Sequence, residues 1–556
     1  MSSNKNKIQT DVLIIGAGLA GIMAAISAAE AGAEVTLVSS GATCSGSSFY
    51  PGTWGFGLVG PENEEDEKDL ADTIMRVGCQ IPDRELVEVF VSHINESIAY
   101  LEQMGVPLKK ADNPEEREFI PCFDYKCRSW HGIVKEEAKP VFLARLNELG
   151  VRLLPRTEVT ELVLDRDIKE SARDTETPAR VVGAIAVRDG NELVEFRSKS
   201  TIIASGGVGG LYRYRLNPGD VTGMGQYLAL NAGAKLVNLE FMQMMPGFLS
   251  PAYGTVFNEK IFRYTESPAY DGWGEEERRE LLELRSGHGP YSSRLKSGRV
   301  DEALAAAWAR EPEGVLVRYT PKMKEHQPEF VKTYFEWLER EKHLTVDDPV
   351  RVGIFAHASN GGIRIDSHGY TGVPGLYACG EVTGGMHGAD RLGGLSTANG
   401  LVFGRLSGRA AARAASEIRT QAAERWLNDD GAGKKQDDLD QAKQFAVIKK
   451  VRMELKDRMS AHAMIGRSET GCEVMLDWLA KQERQWGGKA DVKGVPGLYL
   501  EHCRLKAELG VAACMIRAVQ MRRESRGSHN RADYPREEAA LARPILVDLH
   551  GASFGI

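Results

Sequence analysis

Cysteine is scarce in this chain: eight in 556 residues, none in a Cys-x-x-Cys spacing. The closest pair, Cys122 and Cys127, is too sparse for a zinc or iron–sulfur set, so any such cluster is expected on another chain. This usage fits a reducing compartment, and a cytoplasmic location is the expectation. Long apolar runs are also missing. The first ten residues, MSSNKNKIQT, are polar, and no apolar stretch is long enough to cross a bilayer, so neither a signal peptide nor an integral membrane segment is expected. Positive charge is in deficit as well. Lys and Arg number 70 against 78 Asp and Glu, for a net charge of −8, which argues against a nucleic-acid surface.

Glycine, by contrast, is plentiful and placed. DVLIIGAGLAGIMAAISAAEAGAEVTLVSS runs from Asp11 to Ser40 and carries glycines at Gly16, Gly18 and Gly21. An apolar strand, a tight turn, an Ala-rich helix and a second strand follow one another. Such a turn leaves no side chain in the way of a pyrophosphate and points a helix N-terminus at it, so a bound dinucleotide is expected. NAD-binding units of this kind end their second strand in an acidic residue. Here that place holds Ser39 or Ser40.

The rest of the chain reads as an interrupted α/β protein. Strand signals recur between 151 and 206, break over Met245 to Val352, return at GGIRIDSHGYTGVPGLYACGE, and give way to a helical pattern from about Leu401. The stretch Asn428 to Asp438 is the best linker. Four segments are expected: 1–244 and 353–415 as two parts of one dinucleotide-binding domain, 245–352 as an inserted α+β capping domain, and 416–556 as a C-terminal helical domain.

Five segments carry a family likeness beyond the N-terminal turn: TIIASGGVGGLY, VTGMGQYLALNAGAKLVNLEFMQ, HASNGGIRID, GEVTGGMHGADRLGG and RRESRGSHNRADYP. With them the chain resembles the flavoprotein subunits of succinate dehydrogenase and fumarate reductase, and their relatives L-aspartate oxidase and adenylylsulfate reductase. The resemblance implies a Rossmann-like FAD domain with an inserted capping domain and a C-terminal helical domain. It implies FAD contacts from Gly16, Gly18, Gly21, Ser39, Ser47, Gly206, Glu381, Arg391 and Ser396, with Glu381 on the ribityl chain. Gly384, Gly385 and the Ser396 region are expected at the flavin pyrimidine ring, and His387 with Gly388 near the ring system. The membrane-complex relatives attach FAD through a histidine in SHTxxxQGG. Here Ser48 stands in that place, so FAD is expected to be noncovalent.

The resemblance also implies a reaction at a carbon–carbon bond beside a carboxylate. A hydride moves between flavin and one carbon while an arginine relays a proton. His357 and Arg391 match two of the family's carboxylate-clamping positions, and an arginine fork suits a carboxylate. Elsewhere the chain departs. EFxQxHPTG reads EFMQMMPGF, putting Met245 where the family has histidine. Loose alignment puts Trp273 at the relay arginine, with Arg263, Arg278, Arg285 or Arg294 as alternative sources of the guanidinium. Apolar groups at Met245 and Trp273 favour a substrate with an apolar portion. Three readings stay open: a reductase or dehydrogenase of a carboxylate other than simple fumarate or succinate, an amino-acid oxidase like L-aspartate oxidase, or an electron-transfer chain docking an iron–sulfur protein. The expected substrate is a small carboxylate, and a homo-oligomer is compatible with the sequence.

Overall fold

The computed structural model describes residues 6–53, 56–110, 123–124, 126, 128–167, 179–266, 273–325, 327–418, 438–488 and 494–555. Cys122, Cys127 and nearly all of the expected linker fall outside them.

The molecule is built on a mixed sheet whose strands run in the order Arg152–Leu154, Val35–Val38, Lys7–Ile15, Glu192–Ile203, Val181–Arg188 and Thr157–Leu164. Leu376–Ala378 pairs in parallel with the end of Glu192–Ile203, Leu376 opposite Thr201. The strand residues from Val12 to Ile15 and from Val35 to Val38 are buried in an unbroken run. Such runs mark parallel strands covered on both faces. Ile14 and Ile15 stand opposite Ile202 and Ile203 in register, so the strand before the glycine turn ends level with the strand before Gly206. The third contributor, Leu376–Ala378, ends level with them and leads into Glu381. Three loops from distant parts of the chain therefore emerge at one sheet edge, where α/β sheets place ligands.

Two helices fix that edge. Helix Leu19–Glu30 follows the first strand and helix Leu395–Glu417 packs along it. The close approach comes from a glycine stripe at Gly400, Gly404 and Gly408, four residues apart on one face. A methyl at Gly404 would sit 2.6 Å from the Ala20 carbonyl oxygen, and one at Gly408 would overlap that of Ala24.

A four-stranded sheet, in the order Met242–Ser250, Val350–Ser359, Val315–Tyr319 and Thr265–Glu266, carries the inserted lobe. Its longer helices are Glu275–Arg285, Gly298–Arg310 and Glu329–Lys342. The strands that enter and leave the lobe are paired, Met245 opposite Phe355, which brings two candidate site segments side by side. Helices Asp438–His462, Glu469–Trp486 and Pro496–Met521 form the C-terminal region. Among the described residues no helix is long and apolar enough to cross a membrane.

Candidate active site

A cavity of about 360 Å³ runs along the sheet edge between the glycine turn and the base of the lobe. Its first end is made almost wholly of backbone. Gly16 adopts φ +113°, a conformation open to glycine, and a methyl there would overlap the Ala204 carbonyl oxygen. A methyl at Gly21 would overlap the Gly16 carbonyl. At Gly18 it would meet only Ser45 O, at 3.6 Å. The three glycines thus divide the work: one makes the turn, one lets helix meet strand, and the middle one leaves open space at the helix N-terminus. That open space is what a diphosphate needs.

The second helix opens on the same cavity. Gly394, in the left-handed region, precedes helix Leu395–Glu417, and Gly393, Gly394, Ser396 and Thr397 line the wall. The N-termini of both helices therefore face one cavity, each presenting unpaired N–H groups and the positive end of its dipole. Ser39 and Ser40 line it too. The Ser40 hydroxyl donates to Asp220 at 3.0 Å, whereas that of Ser39 makes a 3.4 Å contact with Ala42 O.

Glu381 stands midway. Its carboxylate accepts the Ser359 N–H at 3.0 Å and lies beside Gly207, where a methyl would come within 2.5 Å of it. Burial raises its pKa, opposed by the Ser359 N–H, Arg391 and Ser47. The Ser205 hydroxyl belongs to a residue on this stretch of wall and is buried without a hydrogen-bond partner among the described residues. A buried polar atom left open beside a cavity is a group waiting for a ligand. Glycine space, two helix N-termini and an open hydroxyl together fit a flavin dinucleotide, with Gly16, Gly18, Gly206, Ser47, Glu381 and Ser396 on its wall and Gly21 packed behind the turn against Gly16.

The far end is made of side chains. Met245, Val256, Leu216, Trp130 and Pro290 form apolar walls. Arg391 is 8% exposed, and its Nε and Nη2 both donate to Gln243 Oε1, at 3.0 and 2.8 Å, which fixes the plane of the guanidinium. Among the described lining residues it is the one lysine or arginine. His357 lies on the same wall and is partly open to the cavity. Burial and then the Arg391 charge push its pKa down to about 3, so its imidazole is neutral. Among the described residues, His357 Nδ1, Gln243 Nε2 and Asn258 Nδ2 are buried with no hydrogen-bond partner. Asn258 uses its oxygen to accept the Lys260 N–H at 3.0 Å, which leaves its amide N–H₂ unspent. Glu259 follows it on the same wall.

Three expected catalytic residues are not on the cavity wall, and each has a partner of its own. Trp273 packs beneath the Arg299 guanidinium at 5.2 Å, at the start of helix Glu275–Arg285. Arg263 pairs with Glu283 at 3.1 Å, and Arg294 with Glu537 at 3.1 Å, both at partly exposed sites. Arg285 is fully buried but is held by both oxygens of Asp301, and neither it nor Arg278 lines the cavity. The neighbours of the flavin motif also differ from expectation. Gly384, Gly385, His387 and Gly388 do not line the cavity; Gly388 packs against Gly78 and Pro82.

Sequence reasoning missed Asn258, Glu259, Trp130 and the clamp on Arg391. Gln243 was visible in the EFMQ segment, but its bond to Arg391 spans 148 residues. Asn258 and Glu259 had no motif to mark them. The signal for the paired helices was present in GLVFGRLSG, with glycines four apart.

Residues 11–260 and 323–397 match the family described as FAD binding domain, and residues 452–544 match the one described as fumarate reductase flavoprotein C-term. The chain is 29% identical over 561 residues to a fumarate reductase (CoM/CoB) subunit of Methanothermobacter marburgensis, covering 97% of each chain. It is 27% identical to L-aspartate oxidase of Pseudomonas aeruginosa, covering 97% of each. In fold it is similar to Mycobacterium smegmatis Sdh1, solved in complex with UQ1, with a TM-score of 0.76, 22% identity, and 99% and 94% coverage of the two chains.

Proposed function

The chain belongs to the FAD binding domain family of the fumarate reductase flavoprotein type and is an FAD-dependent oxidoreductase; on that premise we propose that it acts on a carbon–carbon bond beside a single carboxylate, in a substrate other than simple fumarate or succinate. Bound FAD supplies or accepts the hydride. The residues of the chain hold and orient the substrate. Arg391 attracts and orients the carboxylate as the cation of the wall, and neutral His357 adds a hydrogen bond. Met245, Val256 and Trp130 receive an apolar portion.

The observation that carries this reading is the single cation on the wall. A compact dicarboxylate needs a second partner for its second charge. Around this cavity the additional charged groups are carboxylates: Glu158, Asp220, Glu259 and Glu381. Desolvating a carboxylate with no partner costs several kcal/mol, on the order of a thousandfold or more in turnover. FAD is held noncovalently, because Ser48 offers no nitrogen for a histidyl link.

The test is anaerobic. The flavin is reduced with dithionite, and reoxidation near 450 nm is followed with fumarate and with aryl- or alkyl-substituted enoates. Fast reoxidation by a substituted enoate and slow reoxidation by fumarate is the expected outcome. Fumarate reacting fastest overturns the single-carboxylate reading. Acid precipitation of the same preparation is expected to release the flavin into solution.

The L-aspartate oxidase relative favours a second reading, an amino-acid oxidase. Hydrogen peroxide formed in air with an L-amino acid as sole substrate would select it. The Methanothermobacter relative is named as one subunit of its enzyme. This supports a partner chain, and the scarcity of cysteine assigns any iron–sulfur cluster to that partner.

A further inference from the structure

The dinucleotide fold of this chain lacks an acid where such folds usually carry one. Strand Val35–Val38 runs out into Ser39 and Ser40. At that strand end a carboxylate usually accepts the hydroxyls of the adenosine ribose. A serine hydroxyl brings no charge to the task, and charge-assisted hydrogen bonds are roughly twice as strong as neutral ones. The fold brings an acid to the same place from 180 residues away. The Ser40 hydroxyl donates to Asp220 Oδ2 at 3.0 Å, and Ser39, Ser40 and Asp220 all line the cavity.

The turn that carries Asp220 is fixed. The Leu216 N–H donates to the Ala356 carbonyl at 2.8 Å, and the Gly210 N–H to the Val221 carbonyl at 2.7 Å. Between them the Asn217 side-chain amide donates to the His357 carbonyl at 3.2 Å. The Asp220 carboxylate itself is not spent on the fold, and Glu158 shows the contrast. Its strand starts beside Ser39, whose carbonyl accepts the Thr157 N–H at 2.7 Å, and Glu158 lines the same cavity. Arg504 Nε donates to both Glu158 oxygens, at 3.0 and 3.1 Å. Among the described residues Asp220 receives no such cation, and Ser40 is the one donor to its carboxylate. A carboxylate accepts at both oxygens, so an anchored one with a single donor, on a cofactor wall, has capacity to spare.

We propose that Asp220 accepts the adenosine ribose hydroxyls of FAD, in place of an acid at the end of the second strand, while Ser40 sets the plane of its carboxylate. The two helix N-termini attract the diphosphate, and Asp220 fixes the ribose beside it. The same charge selects. It favours a ribose with free hydroxyls and repels one that bears a phosphate. The inference rests on FAD as the cofactor, and on neither the carbon–carbon reading nor the identity of the substrate.

The probe is an FAD analogue whose adenosine lacks both ribose hydroxyls. Holoprotein is incubated with equal amounts of FAD and analogue until exchange is complete, then freed of unbound flavin. Acid releases the bound flavins, which are separated and quantified. Acid release without analogue is read first, so a covalent flavin is told apart from a failure of this proposal. Wild type is expected to hold FAD over the analogue by about tenfold or more, the scale of a lost charge-assisted contact. In Asp220→Ala that preference should fall at least about threefold below the wild-type value. A carboxylate that merely ties the turn to Ser40 would weaken both flavins alike and leave the ratio unchanged. A smaller fall in the ratio, or no preference in wild type, therefore overturns the proposal. Should Asp220→Ala fail to hold flavin, Asp220→Asn decides by the same criterion, because it keeps the size and removes the charge.

Discussion

Two buried clusters in this protein use the same residue types and treat them in opposite ways. At the seam between the C-terminal region and the sheet, Arg522 donates from Nε to Glu240 at 2.8 Å and from Nη1 to Glu524 at 2.9 Å, and also reaches the carbonyls of Leu541 and Arg543. Glu524 is held again by Arg526. Arg467 donates to His529 Nδ1 at 2.6 Å, which fixes the tautomer: His529 Nε2–H then donates to the Arg522 carbonyl at 3.1 Å. At the substrate end, Arg391 has an arginine's charge with the neutral Gln243 amide and the Leu392 carbonyl among its acceptors, and among the described residues His357, Asn258 and Gln243 keep open nitrogens. The first cluster spends its polar groups on the fold. The second withholds them. Burial alone does not mark a site, nor does one open atom, since Glu240 Oε2 in the first cluster also lacks a partner among the described residues; open nitrogens gathered on one cavity wall, as at His357 and Asn258, do.

The largest expected effect lies in the satisfied cluster. Arg522→Ala leaves Glu240 and Glu524 buried against fewer charges, and removing one member of such a set costs about 3–5 kcal/mol. The variant is expected to melt far below wild type, with poor retention of FAD. A melting temperature within a few degrees of wild type would erase the contrast between the two clusters.

Asp390 lies between them. It is 3% exposed, accepts the Ser292 hydroxyl at 2.7 Å, and burial pushes its pKa up to about 7. A carboxyl raised in the folded state holds a proton that the unfolded chain has lost. Its contribution to stability is complete below about pH 4 and disappears as pH rises through about 7. Asp390→Asn lacks that slope. Denaturant unfolding of both proteins should therefore show the asparagine variant gaining on wild type by a few kcal/mol between about pH 4 and 7, then holding level. Parallel curves would mean that Asp390 ionises like an ordinary carboxyl.

Arg391→Ala tests the open cluster. Losing a charge-assisted contact costs roughly 1.5–3 kcal/mol of transition-state binding, so kcat/KM should fall more than tenfold with FAD still bound. Unchanged turnover would move Arg391 into the structural class with Arg522. The smallest effect is a gain. Met245→His returns a donor to the apolar wall, and reoxidation by fumarate should rise by a few-fold, one hydrogen bond contributing about 1 kcal/mol. No gain would show that the wall is apolar for packing.

Much of the flavin end was legible in the chain. Gly16, Gly18 and Gly21 act through the absence of a side chain, and an absence reads the same before and after folding. Glu381 and Ser396 were placed by motifs a few residues long. The substrate end was not legible to the same degree. Trp273, Arg263 and Arg294 were expected there because alignment counts residues along a lobe, whereas the lobe folds by which face of each helix it buries. Trp273 turns toward Arg299, and the two arginines find acidic partners at the surface.

By itself, then, the sequence determined the α/β class, the flavin cradle and the loss of the family's histidine at Met245, because each depends on local backbone freedom or on the identity of one residue. Only the tertiary structure decided which arginine stays on the cavity wall and that Gln243 holds it from 148 residues away. Those facts depend on which groups meet across the fold, and a buried charge takes its meaning from its neighbours.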